Sequence, residues 1–108
     1  MNPQEQIDAE FERAQQARSR GNEGQARVCA RRAAGIAARE YFVRRGETIR
    51  TPSAFDLLNL LIEDSSLSDD LRQLAAHLTL RVNEEFKLPA DIDLIAEAKK
   101  LYERLSML

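Results

Sequence analysis

Two side chains in this sequence are of types that can do charge-stabilising and acid–base chemistry. Arg72 and His77 form an R-x4-H, and His77 is the only histidine in the chain. An arginine can stabilise negative charge on a phosphate oxygen, and an imidazole can take or give a proton near neutral pH. One histidine excludes a His-pair metal site. One cysteine, Cys29, excludes a Cys-based zinc site and any intrachain disulfide. Cys29 and His77 have the types for a nucleophile pair. Cys29 falls on an apolar helix face, however, where a buried neutral thiol is expected. Gly21-Asn22-Glu23-Gly24 follows a helix rather than a strand and lacks the Gly-Lys-Ser/Thr ending of a phosphate-binding loop. No metal and no cofactor is expected.

A second chemical signal is the arginine distribution. The chain carries 16 Lys+Arg against 18 Asp+Glu, a net charge of −2. Residues 1–54 hold ten Arg and seven acids, whereas residues 55–108 hold six basic residues and eleven acids. Within residues 13–50 the ten Arg meet only Glu23, Glu40 and Glu47, and no Lys precedes Lys87. Guanidinium forks suit phosphate and carboxylate. Arg27, Arg31, Arg44 and Arg45 are the candidates for binding RNA or a nucleotide. The other reading is a solvated helix face that pairs with acids of the second half.

The elements that must position these residues are helices. Helix formers dominate, β-branched residues are sparse and never alternate for long, and six of the seven Pro and Gly sit at ends or turns. With 108 residues the chain forms one domain. The predicted helices are about 4–20, 25–45, 53–64, 69–87 and 91–106. Ser53 and Ser68 open the third and fourth, and Gly46 closes the second as a left-handed cap. The short connections predict an all-α, antiparallel up-and-down bundle of four to five helices. Ile7, Phe11 and Ala14 form the core stripe of the first helix. Leu71, Leu74, Ala75, Leu78, Val82 and Phe86 form that of the fourth, and Leu94, Ile95, Ala98, Leu101, Tyr102 and Leu105 that of the fifth.

The second helix has two packable faces. Cys29, Ala33, Ile36 and Val43 form one. Ala30, Ala34 and Ala38 form a smooth second face that suits close approach of another helix, either within the bundle or across a subunit seam. The fourth helix raises a related question. At ~100° per residue, Arg72 and His77 lie about 140° apart, so they cannot converge from one isolated helix face. Ala76 and Leu80 lie in the arc between them. If these surfaces form a dimer seam, its interface residues are Ala30, Ala34, Ala38, Ala76 and Leu80, and twofold symmetry brings both copies of Arg72 and His77 to one groove.

The alanine-rich helix from Ala26 to Gly46, the Leu-rich helix over Ser53–Ile62, the R-x4-H and a last helix opened by Leu88-Pro89 together resemble the HEPN family of small helical domains. The resemblance covers most of the chain. It implies a dimeric bundle. Some members are metal-independent ribonucleases, including toxins of toxin–antitoxin pairs. Others lack that activity and act beside a minimal nucleotidyltransferase or bind nucleotides. By that likeness Arg72 would stabilise charge on the scissile phosphate and His77 would serve as general acid or base. Three functions are thus expected: a dimeric accessory module for RNA or nucleotide, partnered by a small nucleotidyltransferase or antitoxin; a metal-independent endoribonuclease using Arg72 and His77; or a purely structural interaction bundle. The longest uncharged stretch is the eight residues Gln73–Leu80, too short to span a bilayer, and no secretory leader is visible. A cytoplasmic protein without a membrane segment is expected.

Overall fold

The computed structural model describes residues 1–81 and 92–108. Five helices follow in order: α1 Pro3–Ser19, α2 Glu23–Arg44, α3 Ala54–Glu63, α4 Asp69–Leu78 and α5 Leu94–Ser106. Among the described residues there is no strand. Each helix begins on a side-chain cap. Asn2, Asn22, Ser53, Ser68 and Asp93 accept from backbone N–H groups of their own first turns, which satisfies donors that a helix start leaves orphaned. Gly46 has φ +82°, as expected of a left-handed cap. There Gly46 N donates to Val43 O and Glu47 N to Phe42 O, the paired closure of a Schellman turn.

Two predicted boundaries move. The fourth helix was expected to run to about residue 87, but α4 ends at Leu78 and Thr79 caps it. Thr79 Oγ1 donates to Ala76 O at 2.7 Å, and Arg31 takes the carbonyls of Leu78 and Leu80. These carbonyls face side-chain donors instead of a next helical turn. Val82 and Phe86, assigned to the core stripe, lie outside the described residues. At the other end, α5 starts at Leu94, where Asp93 supplies the cap.

The long helix α2 is the spine, packed against α1, α3 and α5, while α4 lies between α3 and α5. Its neighbours cover both predicted faces. Cys29 and Ala33 are buried, and so are Ala30, Ala34 and Ala38, each at 0% exposure within a single chain. This corrects the expected dimer interface: the alanine stripe seats helices of its own subunit and has no surface left for a second copy. Val43, assigned to the apolar face, is instead exposed near the end of α2. Small side chains let the axes approach, and Gly35 marks the tightest point. A Cβ built there would stand 2.7 Å from Ala54 Cβ at the start of α3. The core stripes of α1 and α5 lie as expected, with Tyr102 at the margin. Each large side chain so buried stabilises the bundle by roughly 1.5–3 kcal/mol.

Candidate anion-binding surfaces

The arginines of α2 divide between two tasks. One is to close other helices. Arg31 Nε donates to Leu78 O at 2.9 Å and its Nη2 to Leu80 O at 2.6 Å, at the end of α4. Arg44 Nη2 donates to Leu105 O at 2.8 Å, at the end of α5. From α4, Arg72 Nε donates to Ile62 O at 2.8 Å, at the end of α3. The last turn of a helix has unpaired carbonyls and the negative end of its dipole, and a guanidinium satisfies both. Three helices therefore end on an arginine from another helix. The expected pairing of these arginines with acids of the second half is not what forms. Among the described residues, of Arg27, Arg31, Arg44 and Arg45 only Arg45 approaches such an acid, Asp64 at 3.8 Å.

The other task is surface charge, which α2 shares with arginines of other segments at two concave surfaces. Arg27 and Arg44 are separated by 17 residues, or about 25 Å of helix. The four arginines expected to bind one RNA or nucleotide thus belong to two separate surfaces. At the first, Arg27 and Arg31 meet Arg81, and these three line a cavity of about 530 Å³ with Val28, Phe55 and Leu80. The Arg81 guanidinium stands 5.0 Å from the centre of the Phe55 ring, and Phe55 is 41% exposed. Burial, and then the like charges of Arg27 and Arg81, pull the Arg31 guanidinium below its ordinary proton affinity. The contrast is Arg18. The hydrogen bonds it donates to Glu23 and Asp93 raise its proton affinity, with Nε 2.8 Å from Glu23 and Nη2 3.0 Å from Asp93. At the second, Arg44 and Arg45 line a cleft with Arg104 of α5.

Arg72 and His77 do not meet. Arg72 is turned to the end of α3 and is 3.6 Å from Asp69. His77 is turned to α5, with Nδ1 2.6 Å from Glu97 Oε1. Gln73 Nε2 lies 2.8 Å from His77 Nε2 and can only donate. That geometry leaves the ring proton on Nδ1, where it is donated to Glu97. The two residues expected to share one phosphate thus face opposite neighbours of α4 within a chain. Ala76 and Leu80, from the expected interface, are half-buried on the surface. Cys29 is buried, as expected, with Gln25 Nε2 at 3.6 Å from its sulfur. No group of His, Cys, Asp and Glu among the described residues could hold a metal ion, and no described helix is long and apolar enough to cross a membrane.

Sequence reasoning missed Phe55, Arg81, Glu97 and Arg104. Phe55 and Arg81 are remote in sequence from Arg27 and meet it only through packing. Glu97 carried a weak signal as an acid on a helix whose core stripe was already assigned. The chain matches no family model, no curated protein and no solved structure.

Proposed function

We propose that this protein is a non-catalytic helical module that binds single-stranded RNA or nucleotide through Arg27, Arg31, Arg81 and Phe55. The observation that carries the reading is the like-charge crowding at Arg31. Three guanidiniums share one concave surface beside the exposed Phe55 ring, and burial first, then the charges of Arg27 and Arg81, disfavour the charge of Arg31. A phosphate placed among them relieves that repulsion. Phe55 offers a ring face for a base, and Arg81 is already stacked on it. Base–aromatic stacking is worth about 1–3 kcal/mol per base and tolerates any sequence. Arg31 is anchored by two carbonyls and so is a fixed charge.

The test is fluorescence anisotropy with a labelled single-stranded RNA, comparing the protein with Arg27→Ala and Phe55→Ala. Both substitutions alter exposed or half-buried side chains, and each should weaken binding by about tenfold. Binding unchanged in both variants refutes the proposal. A role as a HEPN-like homodimer beside a nucleotidyltransferase competes with RNA for this face, because Leu80 lines the cavity. It requires a subunit contact through Ala76, Leu80 and their surroundings, which sedimentation at micromolar concentration tests directly.

A second reading, ribonuclease activity, draws support from the Glu97–His77 bond, since a carboxylate that fixes an imidazole tautomer is the arrangement of a general base. It requires Arg72 to be supplied by a second copy. Its test is RNA cleavage in the presence of chelator, where His77→Ala must abolish the activity.

A further inference from the structure

A separate concave surface lies where the ends of α2 and α5 meet the start of α4. It is a cleft of about 910 Å³. Arg44, Arg45 and Arg104 line it, and no acidic side chain is among its described lining residues. Asp64, the carboxylate 3.8 Å from Arg45, is already committed. Tyr41 Oη donates to its Oδ2 at 3.0 Å, and the backbone N and hydroxyl of Ser66 donate to its Oδ1 at 3.0 and 2.6 Å. Arg45 is held in place by the same network, donating to the Tyr41 hydroxyl and, at 2.9 Å, to Ser66 Oγ.

The donors that remain point to an anion. Arg44 uses Nη2 on Leu105 O and retains its other N–H groups. The Arg104 side chain makes no hydrogen bond or ion pair among the described residues. Ser68 Oγ accepts from Leu71 N at 3.3 Å, which leaves its hydroxyl proton to give. Beside these donors stand Leu67 and Leu71 in the wall, with Met107 85% exposed at the rim. A cavity of this size with convergent donors and an apolar wall matches a small-molecule site more than a strand-binding surface.

We infer that this cleft binds a small phosphate monoester with an apolar or aromatic body, the phosphate held by Arg44, Arg45 and Arg104 and the body lying against Leu71 and Met107. A phosphate monoester carries up to two negative charges near neutral pH, and three guanidinium forks supply geometry for its oxygens. The site is about 25 Å along α2 from Arg27 and is independent of the RNA-binding proposal.

The experiment is an amide NMR titration of the 108-residue chain with phenyl phosphate, inorganic phosphate and phenol. Phenyl phosphate should saturate and perturb Arg45, Ser66, Ser68 and Arg104, binding about tenfold tighter than inorganic phosphate. Arg104→Ala, an exposed position, should weaken phenyl phosphate by about tenfold or more. Met107→Ser should weaken phenyl phosphate and leave inorganic phosphate unchanged. Arg27→Ala should change neither, although it weakens RNA. The inference is overturned by any of three results: no saturable binding, perturbation centred on Arg27, Arg31 and Phe55, or phenyl phosphate binding that survives Arg104→Ala. A matching urea midpoint for each variant establishes that the fold is retained.

Discussion

Replacing Arg31 with methionine isolates the structural task of the arginines. Methionine keeps an unbranched stem of similar reach and removes the donors. The loss is two hydrogen bonds from a charged group, to Leu78 O and Leu80 O. Bonds of this class contribute about 1.5–3 kcal/mol each. Two effects oppose the loss. Burial of the guanidinium and the repulsion from Arg27 and Arg81 both disappear. Of the two released carbonyls, that of Leu80 can also turn to water, because Leu80 is only half-buried, whereas Leu78 is fully buried. The expected net destabilisation is therefore about 1–3 kcal/mol, well short of the sum of two bonds. Arg27→Met, which removes a similar charge but none of the hydrogen bonds seen at Arg31, should change stability by less than about 0.5 kcal/mol. Urea titration followed by circular dichroism reads both variants. Arg31→Lys should recover only part of the loss, since an ammonium cannot span two carbonyls as a planar fork does. If Arg31→Met proves as stable as Arg27→Met, the claim that Arg31 closes α4 is wrong.

Gly35→Ala should destabilise the bundle by about 1–3 kcal/mol, because the new Cβ falls 2.7 Å from Ala54 Cβ and α3 must shift; a thermal melt checks this, and an unchanged midpoint contradicts the close crossing. Acid should destabilise the protein through three carboxylates. Arg18 holds Glu23 and Asp93 below their ordinary values of 4.5 and 3.8. For Asp64, burial works against the charge but is outweighed by hydrogen bonds from Ser66 and Tyr41, so its affinity also falls below 3.8. Their folded-state proton affinities are lower than the unfolded ones, so the unfolded chain binds more protons. Stability is then full above the ordinary carboxylate range and is lost as pH falls through it. Asp64→Asn should flatten that dependence in urea midpoints measured from pH 6 down to about pH 3, whereas an unaltered profile rules out Asp64 as a contributor.

Much of the fold was legible because it rests on local rules. Ser53 and Ser68 announce helix starts by their own chemistry, and the 3.6-residue stripes of α1 and α5 assign their buried faces without reference to the rest of the chain. The alanine face of α2 was read correctly as packable, but a sequence does not say whether the matching surface belongs to the same subunit. That depends on whether α1, α3 and α5 reach it, which is a property of the whole bundle. The end of α4 was misplaced for a related reason. The periodic pattern continues through Val82 and Phe86, while the carbonyls of Leu78 and Leu80 are claimed by Arg31, a residue 47 and 49 positions away. The arginine excess was visible in composition. Its division into helix closure and two separated charged surfaces was not, because each partner is a backbone carbonyl or a ring that only tertiary packing brings near. The angular argument did anticipate that Arg72 and His77 diverge, since it needs only the helical repeat.

The most direct test of the proposed function is the salt dependence of single-stranded RNA binding, measured by anisotropy across a tenfold range of ionic strength. Three guanidiniums on phosphates predict a log–log slope of about −2, falling to about −0.7 when Arg27 and Arg81 are both replaced by alanine and only Arg31 remains. An identical slope in the double variant, or binding that is indifferent to salt, would contradict the account and leave these arginines with structural work alone.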